Sequence, residues 1–132
     1  MSLTFTYLNS SQKLDVGYIQ FFRLRCKIAS IMDKDFGEVY SHIPFCHKKE
    51  DVELNDKVIN LIIKKKQLNK TYKDVIDFLY MCDCGGSVSY KTCKKLYGLL
   101  GKSSSIKHDK FLKNFLNLLN DCYTKHHRMI WY

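Results

Sequence analysis

The last quarter of the chain has the clearest periodic pattern in the sequence. Apolar residues recur there at intervals of three and four, the spacing of one face of an amphipathic helix. This face comprises Ile106, Phe111, Leu112, Phe115, Leu118, Leu119, Cys122, Tyr123, His126 and Ile130. Ser103 to Ser105 can cap the N-terminus of such a helix. The pattern predicts one long helix from Ser103 to Tyr132, whose apolar end packs on another part of the chain.

The chain is poor in the residues that make turns. It has one proline and six glycines in 132 residues, and this scarcity favours helices over a turn-rich β fold. Hydrophobic residues make up 45% of the sequence, enough to form a folded core. We therefore expect an all-α fold, a helical bundle that forms a single domain over residues 1–132.

Four further segments have helical spacing: Leu14–Met32, Asp51–Lys66, Tyr72–Cys82 and Val88–Leu100. The first is apolar on two faces, so it is either deeply placed or bent into two helices. In the second, the inward positions are Leu54, Val58, Leu61 and Ile62. The third is apolar nearly all round and is expected to be a buried central helix. Residues 4–12 show no clear period, and Ile43 to His47 reads as a non-helical linker around Pro44.

The formal net charge of +9 permits binding to nucleic acid, acidic partners or membrane surfaces. The opposing interpretation is that lysines such as Lys107, Lys110, Lys113 and Lys125 simply cover solvated helix faces. Tyr72–Cys82 and Val88–Leu100 also suggest a helix-turn-helix, with Lys91, Lys94 and Lys95 exposed. Its five-residue turn is long, and the exposed face lacks arginine, asparagine and glutamine to read base edges. A small basic DNA- or RNA-binding protein remains the alternative function.

The cysteines and acidic residues give no convincing catalytic or metal site. Zinc would need four ligands from sets such as Cys82, Cys84 and Cys93, or His42, Cys46 and His47. Their spacing is irregular, and small buried thiols are the simpler interpretation. The sequence contains no phosphate loop or paired catalytic carboxylates, and the pairs Asp33/Asp35 and Asp74/Asp77 fit surface or cap positions. We expect no enzyme, no cofactor and no metal.

No run of about 18 apolar residues is present, so no transmembrane span is predicted. The first residues lack the charged and apolar regions of a signal peptide. These features predict a soluble intracellular protein whose six cysteines are reduced thiols.

The order of segments from Leu24 to Tyr132 resembles a Bcl-2-like apoptosis regulator, in the divergent form that viruses carry. Leu24 to Ala29 is similar to the family's own death-motif helix, with Ser30 where aspartate is usual. Thr71 to Asp74 occupies the position of the family's Asn-Trp-Gly-Arg tetrad. Tyr72 keeps the aromatic ring, while the glycine and the arginine are missing. Leu119 to Trp131 resembles the penultimate helix and the terminal tryptophan motif.

This resemblance implies a viral inhibitor of host apoptosis, located in the host cytoplasm without a membrane anchor. It also implies helices around a central hairpin, Tyr72–Cys82 and Val88–Leu100, and a groove that binds the death-motif helices of pro-apoptotic proteins. Asp74 would repel the ligand's aspartate, and Lys73 would take over the pairing. An exposed apolar groove also favours a homodimer. The implied groove residues are Ile28, Met32, Phe36, Val58, Ile62, Leu68, Tyr72, Lys73, Asp74, Val75 and Leu79.

Overall fold

The computed structural model describes residues 2–102 and 108–132. Within these residues the chain forms six α-helices and a four-stranded antiparallel sheet. The expected all-α, Bcl-2-like class is therefore wrong, although the structure is mostly helical. The helices are α1 (Tyr18–Met32), α2 (Lys34–Ser41), α3 (Lys49–Lys65), α4 (Leu68–Tyr80), α5 (Tyr90–Leu100) and α6 (Lys110–Lys125). A short 3₁₀ turn, Ile43–Phe45, follows α2.

The sheet joins segments that are far apart in the chain. Its strands are β1 (Ser2–Tyr7), β2 (Leu14–Gly17), β3 (Gly86–Val88) and β4 (Met129–Trp131), in the spatial order β2-β1-β4-β3. In the central pair, Phe5 lies opposite Trp131 and Tyr7 opposite Met129. The first part of the segment without a clear period, residues 4–7, thus belongs to a strand, and Leu3, Phe5 and Tyr7 of β1 are all buried.

The predicted helix from Ser103 to Tyr132 is wrong at its C-terminal end. α6 ends at Lys125 because His126 adopts a left-handed backbone conformation, with a φ of 58°, and closes the helix. The chain then forms β4, which pairs with β1 on one side and β3 on the other. His126, expected on the inward stripe, is exposed.

At its N-terminal end α6 begins with a different cap from the one expected. The side chain of Asp109 accepts a hydrogen bond of 3.1 Å from the Leu112 N–H. The serines predicted as caps, Ser103 to Ser105, lie outside the described residues, as do Ile106 and Lys107.

The segment predicted as one helix from Leu14 to Met32 divides into β2 and α1. Leu14 and Val16 belong to the strand, and the helix begins at Tyr18. Asp33 then separates α1 from α2 and caps α2, since its carboxylate accepts a 2.9 Å hydrogen bond from the Phe36 N–H. The cap position proposed for Asp33 is therefore confirmed.

The remaining predicted helices are present with shifted ends. α3 lies within two residues of the predicted Asp51–Lys66 at its ends. α4 begins at Leu68 rather than Tyr72, and the backbone is kinked at Tyr72. Ser89 caps α5 through a 3.3 Å hydrogen bond from the Thr92 N–H. β3 lies between α4 and α5, so these helices do not form the simple hairpin that the resemblance implies.

The indole of Trp131 connects the sheet to the helical layer. It is 2% exposed and stacks on Phe5, with 5.4 Å between ring centroids. Phe21 of α1 and Phe78 of α4 meet it edge-on at 6.0 and 5.6 Å. Its Nε1 donates a 3.2 Å hydrogen bond to the carbonyl oxygen of Cys82. One side chain therefore contacts β1, α1, α4 and the segment that leads to β3.

Gly86 gives Trp131 the space that it occupies. It lies opposite Trp131 in the β3–β4 pair, and a Cβ atom at position 86 would overlap the indole ring. We expect Gly86→Ala to lower the free energy of unfolding by about 1–3 kcal/mol, as overpacking does in cores. Urea denaturation of the purified variant measures this change.

Gly98→Ala is the matched control. Gly98 lies on α5 with nothing within 4 Å of the position of an added Cβ. The same methyl group should raise stability there by about 0.5–1 kcal/mol, because alanine favours the helix. A Gly86→Ala variant as stable as the original chain would contradict the close packing at Trp131.

Candidate functional site

Most of the groove implied by the resemblance is core in this structure. Ile28 and Met32 of α1, Phe36 of α2 and Leu68, Val75 and Leu79 of α4 are all buried. α2 and α4 both contact α1, so these apolar side chains face one another between the helices. In this structure they form part of the hydrophobic core.

The other five groove residues lie nearer the surface, on α3 and α4. Val58 and Ile62 are half-buried on α3, and Tyr72 is half-buried at the kink of α4. Lys73 pairs with Asp77 on the same helix at 3.5 Å. Asp74 pairs with Lys95 of α5 at 3.4 Å.

Two of the four inward positions predicted for α3 are exposed, whereas Ile62 packs against the core as expected. Leu54 and Leu61, expected to be inward, are 62% and 66% exposed. Ile59 is the residue that α3 buries fully, because the helix contacts α2 and α4 with that side. Leu54, Val58 and Leu61 therefore form a row along the outer side, which we term the apolar stripe.

A surface cleft of about 750 Å³ lies beside the apolar stripe. α2, the 3₁₀ turn and α3 form its walls. Phe45 of the turn is 74% exposed at this position. The lining residues are Val39, His42, Phe45, Cys46, Asp51, Leu54, Asn55 and Val58.

A second surface combines lysines with aromatic rings where α5 packs against α6. The Lys94 ammonium lies 5.3 Å from the centre of the Tyr123 ring, and Tyr90 stacks on His126 at 4.4 Å. A depression of about 570 Å³ opens between the two helices. We term this surface the lysine–tyrosine face; its residues are Tyr90, Lys91, Lys94, Lys95, Tyr123 and His126.

The sequence indicated only half of this face. Lys91, Lys94 and Lys95 are exposed as expected. Tyr123 and His126 were assigned to the inward side of the final helix, because helical spacing does not distinguish a boundary position from a core position. The helix-turn-helix alternative is wrong, since β3 occupies the segment between α4 and α5.

The cysteines differ from the expectation of six reduced thiols. Cys82 and Cys84 form a disulfide, with 5.4 Å between their Cα atoms. Cys93 and Cys122 are fully buried, and their mutual hydrogen bond and burial raise the pKa of Cys122 far above its usual value. In the described parts of the chain, no group of three or more His, Cys, Asp or Glu side chains is placed to hold a metal ion.

A buried arginine lies on the inner side of α1. Arg25 is 7% exposed, and its guanidinium lies over the Phe21 and Phe78 rings at 4.0 and 5.3 Å. Its Nε and Nη2 atoms have no hydrogen-bond partner among the described residues, and burial lowers the pKa of the side chain. Arg25 thus acts as a packing element between α1 and α4.

None of the helices in residues 2–102 and 108–132 has the length and apolar character needed to cross a bilayer. Comparison with protein-family models, curated protein sequences and solved structures finds no match to this chain.

Ionisation of the Tyr40 hydroxyl lowers the stability of the fold at high pH. It is buried and donates a 2.8 Å hydrogen bond to the Leu79 carbonyl oxygen. Burial raises the pKa of Tyr40 well above its usual value. The folded protein therefore holds this proton more tightly than the unfolded chain does, and the resulting stability is complete below about pH 10 and declines above it.

We expect the free energy of unfolding in urea to fall steeply above about pH 10. Tyr40→Phe should reduce that slope, although it loses about 1 kcal/mol at neutral pH with its hydrogen bond. Part of the decline should remain, because burial also raises the pKa of Tyr80 to about 12. Equal slopes for the variant and the original chain would contradict a buried, protonated Tyr40.

Proposed function

We propose that this protein binds single-stranded nucleic acid through the lysine–tyrosine face. The observation that carries the proposal is the Lys94 ammonium over the Tyr123 ring, in a depression that Tyr90 and Lys91 also line. Lysines attract the phosphates of a flexible strand, and tyrosine rings offer surfaces on which bases stack. Such stacking contributes about 1–3 kcal/mol per base and tolerates any sequence.

The charges around the face support this proposal. Asp74 pairs with Lys95, but Lys91 and Lys94 have no carboxylate within ion-pair distance in the described residues. The net charge of +9 adds long-range attraction for a polyanion. The face has no arginine, asparagine or glutamine to read base edges, so we expect weak sequence preference.

We expect Lys91→Glu/Lys94→Glu to lower the affinity for a fluorescein-labelled 20-nucleotide oligothymidine by about tenfold or more. The slope of log affinity against log salt should become shallower by about 1.4, since each phosphate contact contributes about 0.7 for single strands. Fluorescence anisotropy at several salt concentrations measures both quantities. Unlabelled single-stranded RNA, single-stranded DNA and duplex DNA serve as competitors.

Lys110→Glu/Lys113→Glu is the matched control. These exposed lysines have the same spacing, and both pairs lie in the first turns of their helices, where glutamate is favourable. The two variants have the same net charge. Equal losses of affinity would show that overall charge, rather than this face, binds the oligonucleotide.

The inhibition of host apoptosis through a bound pro-apoptotic helix is the second candidate function. The specific observation that favours it is the apolar cleft beside α3, which Val58 lines together with the exposed Phe45. An amphipathic ligand helix would place its apolar anchors there, rather than among the buried groove residues.

Calorimetric titration with pro-apoptotic helical peptides tests this second function. We expect binding that Leu54→Asp weakens by about tenfold or more, because the substitution places a charge in an apolar contact. Binding that is unchanged by Leu54→Asp would exclude the cleft, and no binding by any peptide would exclude the function.

A further inference from the structure

α3 presents an apolar row that nothing in the described chain covers. The apolar stripe has the spacing of one helix face, with Leu54, Val58 and Leu61 separated by four and three residues. Leu54 and Leu61 are mostly exposed, and the cleft lies along the same side of the helix. Such a face on a folded protein marks an interaction surface.

Charged residues extend this row at both ends. Asp51 lies three residues before Leu54, and Lys65 lies four residues after Leu61, so the row has the pattern of two heptads. Both residues are exposed, and neither has an ion-pair partner within residues 2–102 and 108–132. Glu50 at the acidic end and Lys64 at the basic end strengthen the same polarity.

We propose that the apolar stripe and its cleft bind α3 of a second copy of this chain, in an antiparallel homodimer. With a twofold axis near Val58, Leu54 packs against Leu61 of the partner subunit. Asp51 then lies beside Lys65 of the partner subunit, and the same pair forms again on the other side of the axis. An isologous contact of this kind needs a self-complementary surface, and the row is self-complementary in both shape and charge.

The distribution of charge along α3 favours a second copy of this chain as the partner and an antiparallel orientation of the two helices. A parallel pair would bring each acidic end against the other acidic end. An antiparallel pair places opposite charges at both ends of the row. The helix is short, with 17 residues and a length of about 25 Å, so we expect a weak and salt-sensitive dimer.

Sedimentation velocity over a range of protein concentrations tests the dimer. We expect Leu61→Lys to raise the dimer dissociation constant by about tenfold or more, since it places a charge in the apolar contact. Ile19→Lys is the matched control, because Ile19 of α1 is 72% exposed and lies outside the row. It should leave the dissociation constant unchanged.

A charge exchange tests the antiparallel orientation. Asp51→Lys and Lys65→Asp should each weaken the dimer, because each places like charges together at both ends. The double variant restores opposite charges and should recover a dissociation constant close to that of the original chain. Circular dichroism of each variant checks that the helical content is retained.

Three outcomes would overturn the proposal. The first is a chain that stays monomeric at the highest concentration it tolerates. The second is an equal effect of Leu61→Lys and Ile19→Lys, and the third is a double charge variant that stays as weak as its parents. Oligonucleotide binding at the lysine–tyrosine face does not depend on these results, because that face belongs to α5 and α6.

Discussion

The contact between Phe5 and Trp131 determines most of the architecture. It stacks the rings of two central strands, while Phe21 and Phe78 bring α1 and α4 against the same indole. Aromatic groups of this size bury large apolar areas and prefer the stacked and edge-on geometries seen here. Since β4 can hold its position between β1 and β3 only if the indole fits over Gly86, the sheet and the helical layer stabilise each other.

The sequence predicted the helices well and the sheet not at all. α3 follows a local rule, namely apolar residues at intervals of three and four, and its ends lie within two residues of the predicted ones. β3 and β4 have three residues each, too few to show a period of two. No period was recognised in the segment that forms β1, and its partner β4 lies at the far end of the sequence, where it continues the helical pattern of α6. His126 ends that helix without the usual glycine.

The candidate sites, like the fold, could be predicted only where the local sequence determines them. Apolar residues at helical spacing look alike whether they pair inside a core or line a surface. For this reason six apolar groove residues of α1, α2 and α4 are buried in the core, whereas Leu54 and Leu61 of α3 are exposed. The exposure of each lysine of α5 was predicted from the sequence. Their combination with Tyr123 and His126 depends on how α5 packs on α6, and no local pattern reports it.

The central position of β4 in the sheet also affects the order in which the fold can form. During synthesis β1 emerges first, yet the neighbour that covers Phe5 is made only when Met129 to Trp131 are added. Until then β1 and the aromatic faces of α1 and α4 lack their common partner, and strand edges in that state can pair with other chains. Contacts between distant segments also slow folding. The three residues of β4 therefore complete the sheet last during synthesis, and until they are added the apolar surfaces that Trp131 covers stay without that partner.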